Sequence, residues 1–237
     1  MILDRPSDAR GRVQAGWLDS RHTFSFGHYY DPAWMGFGPL RVINEDRVDP
    51  GAGFAPHRHA NMEILSYVVS GALAHRDSTG GGGVIGPGEL QWMSAGHGVE
   101  HSEYNGSKDE PVHFLQIWIQ PSRLNHKPAY AQRAAVGEDA HGRWLQLASP
   151  DGADGSLAIR QDARLSVARL APGERVEHTL HPARRAWLHV VSGAVDVGGE
   201  LLQVGDARGW VDEAGTLVLA GKSDARAEVL LFDLPRD

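Results

Sequence analysis

The sequence predicts an all-β chain built as two similar β-barrel units. Three observations carry that expectation. First, short runs rich in β-branched and aromatic residues, such as Ile64–Val69 and Val112–Ile119, alternate with turns containing Gly and Pro. This rhythm suits a sandwich or barrel. Second, the turn signals of the first half return in the second. Val68-Val69-Ser70-Gly71-Ala72 is answered by Val190-Val191-Ser192-Gly193-Ala194, and Pro50-Gly51 by Pro172-Gly173 at the same offset. Gly88-Glu89 is answered by Gly205-Asp206 at a slightly shorter one. Third, residues 121–143 break the rhythm: they are polar and lack alternation. The expected division is 1–125 for the first domain, 126–143 for a linker and 144–237 for the second domain.

Taken in order, residues 1–40 are rich in aromatics and turn formers, with Trp17, Phe24, Phe26, Tyr29, Tyr30, Trp34 and Phe37 clustered there. They read as a segment that covers a core, with His22 and His28 as hydrogen-bonded scaffold residues. Leu40–Val42 alternates, and Asn44-Glu45-Asp46 reads as a turn. After Ile64–Val69, Ser70-Gly71 and Leu73–His75 give a hairpin signal. Gly-rich residues 78–83 form a loop, and Gly86-Pro87-Gly88 a turn. Val112–Ile119 is the strongest single strand. Its inward set is either His113, Leu115, Ile117 and Ile119 or the opposite parity, and periodicity leaves both open. Ala129–Ala135 reads as a short helix inside the linker. The second half continues with strands from Trp144 to Asp233.

Composition narrows the class of function. Hydrophobic residues make up 41% and charged residues 22% of 237 residues, which is ordinary for a globular chain able to bury a core. Acids outnumber bases, 30 to 23, and the bases are scattered, which argues against direct nucleic-acid binding. There is no Cys, so disulfides and thiolate metal ligands are excluded. The first residues lack the apolar core of a signal peptide, and no run approaches a membrane span. The expected location is the cytoplasm, and the expected state is a monomer.

The chemistry concentrates in two stretches. Gly51 to Glu63 carries His57 and His59, and Met93 to Asn105 carries His101 and Glu103. Residues i and i+2 of a strand share a face. If the two strands line one cavity, three imidazoles and a carboxylate converge. Those donors suit a divalent transition metal such as Fe, Mn, Co, Ni, Cu or Zn. A lone H-x-H pair is more often structural than ligating, and this chain has 13 His. The second stretch, with the same spacing and its own flanking glycines, shifts the balance toward a metal site.

These stretches resemble the two motifs of the cupin superfamily. Gly51, His57, His59, Glu63 and Gly71 follow the first; Gly98, His101 and Asn105 follow the end of the second. The resemblance narrows to the pirin family through His22–Phe26, Tyr30–Pro32, Phe37-Gly38, Leu40–Asn44, His57, His59, Asn61–Glu63, His75, Asp77-Ser78, Gln91–Met93, Ala95-Gly96 and His101–Glu103. These matches span roughly residues 17–121, about half of the chain.

The resemblance implies a bicupin of two jelly-roll β-barrel domains with one working metal site. It implies one metal per chain, Fe(II) above Zn, Ni, Mn or Cu, bound by His57, His59, His101 and Glu103. Glu103 is also the possible catalytic base, and Glu63 becomes a nearby residue that orients a ligand. At the repeat offsets His57 falls on Thr179, His59 on His181, Glu63 on Arg185, His101 on Val218 and Glu103 on Ala220, so the second domain is expected to be a degenerate copy. The implied function is a dioxygenase that cleaves flavonols such as quercetin with O2. The alternative is a metal-binding regulator that binds a transcription factor or metabolic enzyme.

Overall fold

Four β-sheets make up the protein, as seen in a computed structural model that describes residues 1–135, 137–222 and 224–236. The chain divides into two compact units. One comprises Gly11–Ala135 and Leu157–Gln161. The other comprises Met1–Arg10, Val136–Ser156 and Asp162–Asp237. The N-terminal ten residues therefore pack with the C-terminal half.

The strands run in chain order as β1 (Ile2–Arg5), β2 (Gly11–Ala15), β3 (Leu18–His22), β4 (Leu40–Val48), β5 (Gly53–His59), β6 (Glu63–Ser70), β7 (Leu73–Asp77), β8 (Gly82–Ile85), β9 (Leu90–Ser94), β10 (Val99–Asn105), β11 (Val112–Ile119) and β12 (Ala129–Arg133). They continue as β13 (Leu145–Ser149), β14 (Leu157–Ala158), β15 (Arg164–Leu170), β16 (Arg175–Leu180), β17 (Arg184–Ser192), β18 (Ala194–Val197), β19 (Glu200–Gln203), β20 (Ala207–Val211), β21 (Gly215–Gly221) and β22 (Ala227–Pro235).

In the first unit a large sheet has the order β12–β9–β6–β11–β4–β3–β2 and a small one β5–β10–β7–β8. In the second, the order β20–β17–β22–β15 answers β9–β6–β11–β4, and β16–β21–β18–β19 answers β5–β10–β7–β8. The repeated turns keep their conformation too: Gly51 and Gly173, Gly71 and Gly193, and Gly88 and Gly205 all have positive φ. The internal repeat is thus a repeat of topology.

The jelly-roll barrel expectation is corrected. Among the described residues no sheet closes on itself: each of the four ends in two distinct edge strands. The first unit is an open sandwich. Val48, Val68, Val112 and Phe114 of its large sheet pack against Leu73 and Ile85 of its small sheet. One edge of the small sheet, β5, carries Pro56, which has no N–H to extend a ladder.

Three local expectations also change. Ser70-Gly71 does not close a hairpin, because β6 pairs with β11 and β9 while β7 pairs with β10 and β8. Gly71 turns a corner between sheets at φ 80°, where a Cβ would lie 2.5 Å from the Pro111 carbonyl oxygen. Ala129–Arg133 is strand β12, paired with β9, rather than part of a helix. Asn44-Glu45-Asp46 is the interior of β4, and all three side chains are buried.

That last change explains the interior of the sandwich. His22, Asn44, Gln116, Ser66 and Gln91 stand directly opposite one another across β3, β4, β11, β6 and β9. All five are buried. Residues opposite in an antiparallel ladder share a face, so a polar rung crosses the large sheet. To one side lies the apolar cluster around Phe114, and to the other a cluster of Ile64, Met93, Ala95 and Val99. The even parity of β11 thus carries Phe114, Gln116 and Trp118 on the cavity side.

Candidate metal centre

His57 and His59 sit on β5, and His101 on the neighbouring β10, where His101 stands opposite His57. The ladder slips between them and Glu103, which stands opposite Phe54, so β5 holds one extra residue in that interval. The interval contains Ala55 and Pro56. A bulge there follows from the missing proline donor, and it re-aims the side chain that comes next. Gly53 lets the start of β5 approach closely: a Cβ would lie 2.3 Å from the Glu103 carbonyl oxygen.

The three imidazoles converge. One ring nitrogen from each of His57, His59 and His101 lies within 4.8 Å of the others, and among the described residues this is the only group of three or more potential ligands so placed. His57 Nδ1 lies 2.8 Å from the Ala55 carbonyl oxygen. A carbonyl only accepts, so His57 carries a proton on Nδ1, which leaves Nε2 as the atom that can offer a lone pair. That Nε2 lies 3.1 Å from His101 Nε2.

Burial, then the charge of His57, pushes His59 down to about 4. Burial, then the imidazoles of His57, His59 and His75, pushes His101 down to about 2. Both are therefore neutral at pH 7 and present lone pairs. Neutral, convergent imidazoles fit a divalent transition metal.

Glu103 is buried on the same cavity wall, but its carboxylate is not one of the mutually close set. Its Oε2 accepts from Gln116 Nε2 at 2.7 Å, and its Oε1 lies 3.0 Å from the Ser66 hydroxyl. Burial raises its pKa, and those two donors oppose the rise. Glu63 is fully buried and accepts from Trp92 Nε1 at 2.8 Å, from the Ser94 hydroxyl and from the Arg160 backbone N–H. Those bonds tie Glu63 to β9 and to residue 160. Arg58, between the two histidines, is exposed and pairs with Glu100.

The histidines open onto a cavity of about 200 Å³. Val13, Leu18, Phe26, Phe54 and Trp118 give it apolar walls, and the exposed Gly27 and His28 stand at its rim. The Trp118 ring meets His59 edge-on at 4.8 Å and Phe26 at 5.2 Å. Asn44 and Asp46 bring polar atoms into the same wall. Asp46 accepts from Ser20. Burial, with smaller contributions from Glu103 and Glu45, raises Asp46 to about 7 against the pull of Ser20.

Asn44, Asp46 and Trp118 do not stand out in the sequence as site residues. The signal for the first two was their i, i+2 spacing next to an alternating apolar run, which fits a strand with a polar inner face as well as it fits a turn. His75 is visible in the sequence only within the family match.

Known proteins bear on this site. Residues 5–119 match the family model described as Pirin, and residues 146–234 match the one described as Quercetinase C-terminal cupin domain. The chain is 45% identical over 235 residues to a quercetin 2,3-dioxygenase of Escherichia coli K12, covering 99% of each. It is 40% identical to a pirin-like protein of Caulobacter vibrioides, over 98% of this chain and 99% of the relative. Its fold superposes on the crystal structure of the bacterial pirin YhhW from Escherichia coli in complex with nickel(II), with a TM-score of 0.91, 43% identity and 100% of both chains covered. The chain belongs to the pirin family.

As a pirin, the protein has the two-unit cupin arrangement that the sequence suggested, in open rather than closed form. Its three clustered imidazoles, which could hold one transition metal, lie in the unit formed mainly by residues 11–135. His181, the one histidine carried over to a ligand position of the repeat, is exposed and accepts from the Ala183 N–H. Among the described residues no helix is long and apolar enough to cross a membrane.

Proposed function

We propose that this pirin is a metal-dependent quercetin 2,3-dioxygenase-like oxidoreductase. In this reading Fe(II) is the working metal, held by His57, His59 and His101 with Glu103 as the carboxylate of the site. The observation that carries the reading is the convergence of three imidazoles at an apolar-walled cavity. The names of the bacterial relatives supply the substrate class.

When bound, the metal supplies the electron exchange with dioxygen that no side chain here can perform. The residues do the rest. Phe26, Phe54 and Trp118 offer apolar faces to a flat aromatic substrate and exclude water from it. Asp46 offers an acceptor to its hydroxyl groups.

Glu103 takes the proton from the reacting hydroxyl. Burial strengthens its hold on a proton, while Gln116 and Ser66 fix the direction of its carboxylate. The C-terminal unit keeps the strand order and serves as a degenerate copy.

The test is metal exchange. Chelation should abolish oxygen uptake with quercetin while circular dichroism stays unchanged. Refilling with Fe(II) should restore uptake, and Zn(II), which has no redox chemistry, should not. Full turnover by the Zn(II) form would contradict the proposal.

A further inference from the structure

His101 has a second imidazole neighbour that lies outside the cluster. His75, on β7, is buried, and its Nε2 lies 3.1 Å from His101 Nδ1. Its ring is stacked on Tyr130, with centroids 4.8 Å apart and planes inclined by 4°. Its Nδ1 is buried and has no hydrogen-bond partner among the described residues.

The Ala55 carbonyl can only accept, so His57 carries a proton on Nδ1 and turns Nε2 to the site. His57 Nε2 and His101 Nε2 face each other across 3.1 Å, which leaves His101 Nδ1 pointing away from the cluster, at His75 Nε2.

If His101 Nε2 offers its lone pair to a metal, the His101 proton would be on Nδ1, and His75 Nε2 is placed to accept it. His75 would then carry its own proton on Nδ1.

We propose that His75 is the positioning residue of the metal centre: its Nε2 receives the Nδ1–H of His101 and so holds His101 with Nε2 presented to the metal. This rests on the reading of His101 as a ligand. Stacking on Tyr130 keeps the His75 ring in the plane that the bond requires.

The experiment combines Ni(II) titration calorimetry with nitrogen NMR of the histidine rings in the metal-free and Zn(II)-loaded protein. His75→Phe should weaken Ni(II) binding roughly 10- to 100-fold, and His75→Gln, whose amide can both donate and accept, should recover most of that loss. In the Zn(II)-loaded wild type the His75 proton should be on Nδ1, a result that does not depend on any variant folding. Unchanged Ni(II) affinity in folded His75→Phe, or a His75 proton on Nε2 in the Zn(II) form, would overturn the inference. His101→Ala separates the two claims. If it weakens binding while His75→Phe does not, only the role of His75 fails; if it binds as wild type, the ligand reading fails as well.

Discussion

Gln116 Nε2 donates to Glu103 Oε2 at 2.7 Å, and this bond joins the large sheet of the metal-bearing unit to its small sheet. It is buried at both ends, beside the three histidines. Gln116→Leu would leave Glu103 with the Ser66 hydroxyl as its remaining donor. A hydrogen bond to a buried charged group is worth about 2 kcal/mol, and chemical denaturation should show a loss of that order. Unchanged stability would mean that Glu103 is protonated at neutral pH and indifferent to the donor.

Asp46 gives a pH test with a definite sign. Its pKa is raised from 3.8 to about 7, chiefly by burial. Between those values the folded protein keeps a proton that the unfolded chain has released. Stability from Asp46 is therefore complete below about pH 4 and is lost as pH rises through about 7. Asp46→Asn keeps an acceptor for Ser20 and has no such proton. Relative to this variant, wild type should lose stability from pH 4 to pH 8, by at most about 1.4 kcal/mol per unit. Parallel melting curves across that range would contradict the assignment.

Glu63 separates a structural carboxylate from a ligating one. Its three donors, Trp92, Ser94 and the Arg160 N–H, would all be orphaned by Glu63→Ala. The expected loss is about 3 to 5 kcal/mol, with a milder loss for Glu63→Gln. Metal content of the Gln variant, measured by elemental analysis on folded protein, should stay at the wild-type level. An emptied site would make Glu63 part of the metal centre.

Asn44 carries an acceptor with no use in the fold. Its Oδ1 is buried and unpartnered among the described residues, and its side chain lines the cavity. Asn44→Leu should change stability by no more than about 1 kcal/mol, since an unpaired acceptor contributes nothing to keep. A larger loss of stability would mean that the Asn44 amide is tied into the scaffold.

The spacing of the histidines was legible because it is a local property of strands. His57, His59 and His101 needed only the two-residue period and a shared cavity, and their convergence follows from the β5–β10 pairing. The repeat was legible because positive-φ turns demand glycine. What failed to show was anything decided by long-range pairing. Asn44-Glu45-Asp46 has the composition of a turn, and only its place between β3 and β11 makes it a buried strand. Gly71 looked like a hairpin turn, but its neighbour strands enter different sheets. Closure of the sheets depends on edge strands that composition does not reveal.

In the proposed function, a metal on this histidine cluster drives oxygen-dependent cleavage of quercetin. The most direct measurement is oxygen consumption with quercetin by wild type and by His57→Ala, each stripped and reloaded with Fe(II) under the same conditions. Wild type is expected to consume oxygen in step with the loss of quercetin, and His57→Ala to retain neither bound iron nor turnover. Equal oxygen consumption by the two proteins, or none by iron-loaded wild type, would contradict the account.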